Sequence, residues 1–233
     1  MGRDWDQWAK KDPLWAILTQ DDKRGNRWDH GEFMATGRGD VDAALGEINA
    51  LGLALRTRNV LDFGCGVGRL SQALAEHFGQ VNGVDASAEY VRLAEQYNRH
   101  PDRVSYRVSG TEIPFADNSF DLVFSRLTLQ HTPRRRQLHY VAEFVRVARP
   151  RGVLAFQFLG FPHHAKTRVR QRLSVASNLY LRLRTRAPLM LIDTVPPERL
   201  RAQLEKLGAS VTSLRQENDH GVYSSFRVIA QKR

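Results

Sequence analysis

From Asn59 onward, short apolar runs alternate with longer amphipathic ones. NVLDFG reads as a buried strand ending in glycine, and GRLSQALAEHFG as a helix closed by Gly79. VNGVD predicts a second strand, SAEYVRLAEQYNR a helix capped by Ser87, and RVSYRVS a third strand. FDLVFS predicts a fourth strand, PRRRQLHYVAEFVRVAR a helix begun by Pro133, and GVLAFQF a fifth strand. Strands separated by helices of ten or more residues must pair in parallel, so the pattern predicts a doubly wound α/β sheet.

The flanks differ. The first forty residues scatter Trp5, Trp8, Trp15, Trp28 and Phe33 among charges. Asp12-Pro13 reads as a helix cap followed by proline in the first turn, and Asp40 as the start of a second helix carrying Val41, Leu45, Ile48 and Leu51 to a stop at Gly52. Beyond Phe161 the alternation breaks. Val169, Leu173, Ala176, Tyr180, Leu183 and Ala187 form a narrow apolar seam at helical spacing over residues 165–187. PPERLRAQLEKLG predicts a further helix, and the last residues an antiparallel hairpin around His220-Gly221. The expected organisation is an N-terminal helical lid over 1–58 and an α/β core over 59–233, with a basic helical cap at 161–192.

Charge sharpens that division. The chain of 233 residues has a formal net charge of +10. Residues 134–192 hold thirteen basic side chains against one acid, Glu143, so the remainder is slightly negative. A concentrated basic region points to an anionic partner or to a solvated arginine-rich face. No run of ~18 uncharged apolar residues exists, which excludes a hydropathic membrane span. The acids and tryptophans of the first fifteen residues do not read as a secretion signal, and the cytosol is the expected compartment. The lone Cys65 rules out an internal disulfide and a multi-cysteine metal site.

The sharpest chemical signal is Asp62-Phe63-Gly64-Cys65-Gly66-Val67-Gly68 at the first strand–helix junction. Glycines admit a ligand against the main chain, where the helix N-terminus offers free N–H groups. A nicotinamide-type loop needs a third glycine at position 69, which is Arg69. An acid ahead of the glycines suits a ligand with a cationic end better than a pyrophosphate. The second strand ends in Asp85, where doubly wound folds place an acceptor for ribose hydroxyls.

In these stretches the chain resembles the class I S-adenosylmethionine-dependent methyltransferases, in particular their bacterial small-molecule branch (methyltransferase type 11/25-like). VLDFGCGVGRL is similar to the first motif and VNGVDAS to the second; GTEIPFADNSFDLVFSRLTLQH and VARPRGVLAFQF are similar to the approaches to strands four and five. The resemblance implies a seven-stranded Rossmann-like sheet with an antiparallel last strand. It implies S-adenosyl-L-methionine held by Gly64, Cys65 and Gly66, with Asp62 orienting its amino group through water or backbone and Asp85, followed by Ala86, its ribose. Ser109 stands where an adenine-binding acid is common, which turns attention to Gly110 and Thr111. Gly37 and Arg38 belong to a similar pre-core segment, with Arg38 a candidate for the cofactor's carboxylate. Arg126 follows strand four on the same edge.

The loop after strand four reads Ser125-Arg126-Leu127-Thr128, without the Asn/Asp-Pro-Pro-aromatic sequence of amino-directed nucleic-acid enzymes, and Cys65 sits in the cofactor loop rather than in a nucleophile's place. The expected acceptor is therefore the hydroxyl of a small molecule, sugar or lipid-linked intermediate, anionic in character, with peripheral contact to the inner membrane face and no stable nucleic-acid partner. A nucleic-acid modifier and a catalytically silent cofactor-binding subunit are the alternatives. Methyl transfer to a hydroxyl calls for a base, and the candidates beyond strands four and five are His131, His163 and His164. No metal is expected, because two adjacent histidines lack further ligands.

Overall fold

The structure is a computed structural model that describes residues 2–162, 188, 190–220 and 223–233. The histidines at 163 and 164 and the seam over 165–187 lie outside the described residues.

Seven strands, β1 Asn59–Phe63, β2 Gln80–Asp85, β3 Val104–Val108, β4 Phe120–Ser125, β5 Ala148–Pro162, β6 Ala209–His220 and β7 Tyr223–Lys232, form one sheet in the order β3-β2-β1-β4-β5-β7-β6. The first five pair in parallel. The terminal hairpin folds back so that β7 lies antiparallel between β5 and β6. The sheet expected from the alternation, with its antiparallel last strand, is the sheet observed. The chain leaves β1 toward β2 on one side and reaches β4 on the other, so the loops after β1 and β4 diverge and open a crevice at their carboxyl ends.

Both faces are covered, which is why β1 and β4 read as unbroken apolar runs. Leu61 and Phe63 point into a core shared with Phe144 of helix α6 (Arg134–Val147) and with Leu200 and Leu204 of α7 (Pro197–Lys206). Val60 and Leu122 point the other way, onto Ile48 of α3 (His30–Ala50), Leu70 and Leu74 of α4 (Arg69–Leu74) and Val91 of α5 (Ala88–Gln96). Ser87 caps α5 as expected, its hydroxyl oxygen accepting from the Tyr90 amide at 3.2 Å.

Two helix starts differ from the pattern. Helix α3 begins at Asp29, whose carboxylate accepts from the Glu32 amide at 2.8 Å, and runs through Asp40 without interruption. A Cβ on Gly37 would strike the backbone carbonyl of Arg69, so the glycine is what lets α3 cross α4 closely. Proximity offsets the ~0.5–1 kcal/mol that glycine costs inside a helix. Asp12 makes no cap for α2 (Pro13–Ile17); its carboxylate instead accepts from the amides of Gly25 and Asn26 at 2.6 and 3.1 Å and ties down a left-handed turn.

Alternating charges stitch α3 to the sheet edge. Asp40 pairs with Arg69 at 2.7 Å and Arg126 at 3.1 Å; Arg126 continues to Glu217, Glu217 to Arg227, and Arg227 to Glu47 at 3.2 Å, where Arg215 joins. Arg227 is only 8% exposed, so its charge depends on its two carboxylates. Arg227→Met should lower stability by about 2 kcal/mol, short of the 3–5 typical of a stranded buried charge because Glu47 and Glu217 each keep another arginine. Denaturant titration at pH 7 measures this, and an unchanged midpoint would show the chain of charges to be energetically idle.

Candidate active site

A cavity of about 260 Å³ opens at the carboxyl edge of β1, β2 and β4. Gly64 and Gly66 from the loop after β1, Asp85 and Ala86 from the end of β2, Ser109, Gly110 and Thr111 from beyond β3, and Arg126 and His131 from beyond β4 all line it. Nine of the residues singled out in the sequence are thus brought to one cleft by four separate loops.

Gly64 and Gly66 have φ of 78° and 53°, a region side chains seldom adopt. A Cβ on Gly66 would lie 2.7 Å from Ile17, and one on Gly64 would collide with Thr128, so both positions present bare backbone to the cleft. Asp85 accepts from the Gly66 amide at 3.0 Å and the Ser87 amide at 2.9 Å, which ties the glycine loop to the end of β2. Burial raises its pKa, and those amides pull the other way. Each carboxylate oxygen retains a lone pair for a hydroxyl donor. Ser109 donates to the Glu112 carbonyl at 3.1 Å and keeps acceptor capacity on its oxygen, while the Tyr140 hydroxyl donates to the Gly110 carbonyl and holds that loop in place. An exposed-backbone cradle, an acid at the ribose position and a polar-lined end fit an adenosyl ligand with an amino-acid tail.

Four of the expected residues stand outside the cavity lining. Gly37 lies at the α3–α4 crossing, away from the cleft. Arg38, 66% exposed at its side chain, pairs with Glu76 at 2.7 Å on the surface. Cys65 turns inward among apolar side chains such as Val60 and Leu74, where burial pushes its thiol well up. Asp62 does not line the cleft: wholly buried, it accepts from the Ser71 hydroxyl at 2.6 Å and anchors α4, and its Oδ1 has no partner.

The N-terminal elements supply what sequence reading missed. In helix α1 (Gly2–Lys11), Asp6 accepts from the Ser87 hydroxyl at 2.6 Å, and Tyr90 donates to the Pro13 carbonyl at 3.0 Å. These bonds bring Trp5, Ala16 and Ile17 onto the cleft. Trp5 meets the His131 ring edge-on, with centroids 5.0 Å apart. The crowded N-terminal tryptophans were the available signal, but not which of them would reach the site.

His131 is the chemically pointed residue of the cleft. Its Nδ1 lies 2.9 Å from the Leu191 carbonyl, which can only accept, so the proton sits on Nδ1 and Nε2 carries the accepting lone pair, 3.2 Å from the Gln130 amide nitrogen. Burial lowers its pKa below the ordinary histidine value, against a smaller opposing effect of the Leu191 bond. The ring is a neutral acceptor near pH 7. Among the described residues no group of three metal-ligating side chains occurs.

The fold and cleft define a nucleotide-type ligand site on a doubly wound sheet. Residues 61–156 match the model of the methyltransferase domain family. The chain is 36% identical over 112 residues to an uncharacterized methyltransferase of Mycobacteroides abscessus, covering 47% of this chain and 42% of that protein. With a ubiquinone biosynthesis O-methyltransferase of Coxiella burnetii it shares 31% identity over 106 residues, 45% of this chain and 44% of that one. The matches thus span less than half the length of these curated relatives. The structure of magnesium protoporphyrin IX methyltransferase from Synechocystis PCC 6803 with bound SAH superposes with a TM-score of 0.62 at 19% identity, over 95% of this chain and 98% of that one.

Burial raises the Asp62 pKa to about 6, only partly offset by the Ser71 hydrogen bond and the nearby Arg69 charge. Its folded value lies above its unfolded one, so the native state holds the extra proton and stability falls as pH rises from about 4 to about 6. Asp62→Asn should flatten that part of the stability–pH curve in thermal melts. A curve of unchanged slope would show the carboxyl to be ionised throughout.

Proposed function

We propose that the protein is an S-adenosylmethionine-dependent O-methyltransferase acting on a small molecule, with His131 as the general base. The observation that carries this is an imidazole in the cleft whose Nδ1 proton is held by the Leu191 carbonyl, which leaves Nε2 as the accepting nitrogen. When bound, the cofactor supplies a methyl group already activated on a sulfonium centre. Gly64, Gly66, Asp85 and the 109–111 loop would hold it, and His131 would receive the proton that the acceptor hydroxyl gives up. Trp5 and Ile17 exclude water from the cleft, which strengthens each polar contact within it. A placed base of this kind contributes about 10²–10⁴-fold in rate, the remainder resting on orientation. The similarity to a ubiquinone biosynthesis O-methyltransferase supports a hydroxyl acceptor.

The N-terminal elements are proposed as the lid and the remainder as the core. Among the described residues no helix is long and apolar enough to cross a membrane.

Two measurements test the reading. Asp85→Ala should weaken S-adenosylhomocysteine binding at least tenfold by calorimetry, since a charge-assisted contact is worth ~1.5–3 kcal/mol; unaltered affinity would refute the ribose assignment. His131→Ala should leave that affinity intact and cut turnover of a phenolic or other hydroxyl acceptor by about 10²-fold or more. The wild-type kcat/KM should stay level through neutral pH and fall only below the ordinary histidine range, because the base must be deprotonated and its pKa is lowered. An enzyme indifferent to His131 would exclude the base.

A further inference from the structure

His131 is flanked by a buried amide chain that the proposed chemistry does not use. Leu127 sits in the left-handed region with φ of 59°, costly for a leucine, and its amide donates to Gln157 Oε1 at 2.8 Å. Gln157, on β5 and 3% exposed, donates from Nε2 to the Ser225 hydroxyl at 2.8 Å and to Gln130 Oε1 at 3.5 Å, the longest link. Gln130 in turn places its Nε2 3.2 Å from His131 Nε2.

The direction of every link follows from two backbone groups. An N–H can only donate, so Leu127 fixes Oε1 of Gln157 toward itself and leaves Nε2 to donate onward. Gln130 then accepts on its oxygen, and only its NH₂ is left to face the imidazole. At the far end, the Leu191 carbonyl claims the Nδ1 proton. Both ends therefore require the same tautomer. An imidazolium would set Nε2–H against the Gln130 NH₂, donor against donor.

We propose that Gln130 and Gln157 are positioning residues that lock His131 in its Nδ1–H tautomer and hold it unprotonated for its role in the cleft. This rests on the reading of His131 as the base. Gln130 touches the base and can give way to an acceptor hydroxyl; Gln157 acts through Gln130 and through the Leu127 turn. No carboxylate lies close enough to act in their place: Asp85 is the one acid lining the cleft among the described residues, and Asp193 binds the Arg134 amide. The other charged groups of the cleft are Arg126, engaged by Asp40 and Glu217, and Arg136.

Nitrogen NMR of the full chain labelled at histidine reads the tautomer directly and needs no acceptor. The wild type should show Nδ1 protonated and Nε2 bare. Gln130→Glu offers an acceptor in place of a donor and should raise the His131 midpoint by about one pH unit or more, and shift the proton toward Nε2. Gln130→Leu should raise it less. Gln157→Glu keeps the Leu127 bond but repels Gln130 Oε1, so it should flip that amide and raise the midpoint, with at least half the effect lost in a Gln130→Leu background. A wild-type Nε2–H tautomer, or a Gln130→Glu shift of less than about 0.3 pH unit, would overturn the proposal. If these shifts are found but His131→Ala remains fully active, the lock stands and the base reading alone fails.

Discussion

The reversal of strand order at β1 is the constraint on which the site depends. Parallel strands leave their carboxyl ends on one edge, and the loops that continue them pack side by side wherever the order runs one way. At β1 they part, and the backbone of Gly64 and Gly66 lines the cleft next to β4. That bare backbone is useful only if nothing fills it, which explains two positive-φ glycines aimed at Thr128 and Ile17. Asp85 belongs to the same constraint. By accepting from the Gly66 amide it joins the β1 loop to the neighbouring strand, as do the Gly64 and Cys65 amides through the Val84 carbonyl.

An open edge needs a cover, and the N-terminal elements are attached to α5 both through the apolar cluster that holds Ala9, Tyr90 and Leu93 and through polar bonds. Asp6 on the Ser87 hydroxyl and Tyr90 on the Pro13 carbonyl are single directional bonds, so they fix where α1 and α2 lie. Trp5 and Ile17 then contribute apolar surface over the cleft at little extra ordering cost. Helix α3 is attached differently, through the charge chain from Arg69 to Arg215 that runs by way of Arg126 at the cleft wall. One side chain therefore serves both the α3–sheet junction and the lining of the site.

Much of the core was legible because its cues are local. Strand–helix alternation, the Ser87 cap and the acid–glycine–acid order each depend on residues within a few positions of one another, and local rules decide them. The errors have a common physical origin. Asp40 reads as a cap because short acids cap helices, yet its carboxylate is taken by Arg69 and Arg126, 29 and 86 positions away. Gly37 reads as part of a cofactor-side segment because the crossing helix that requires it is not visible from its neighbours. Arg38 and Arg69 could not be ranked as partners of the interior until the packing showed which is 3% exposed. Gln130 and Gln157 carry no motif at all; their meaning comes from a left-handed leucine and a carbonyl sixty residues away.

The site also holds free energy that a protein built for stability alone would shed. Asp62 is buried and Asp85 half-buried, both with raised pKa values, Asp62 Oδ1 lacks a partner, and Leu127 occupies a strained backbone region. Strain of that kind persists only where the surroundings over-determine it, and here Gln157 and Thr128 do so from opposite sides. Relieving the turn would let Leu127 relax, but it would also free the Gln157 amide to rotate, and with it the polarity of every bond leading to His131. The strained leucine and the single histidine tautomer are thus two ends of one arrangement, so selection for a defined base would preserve a turn that selection for stability would remove.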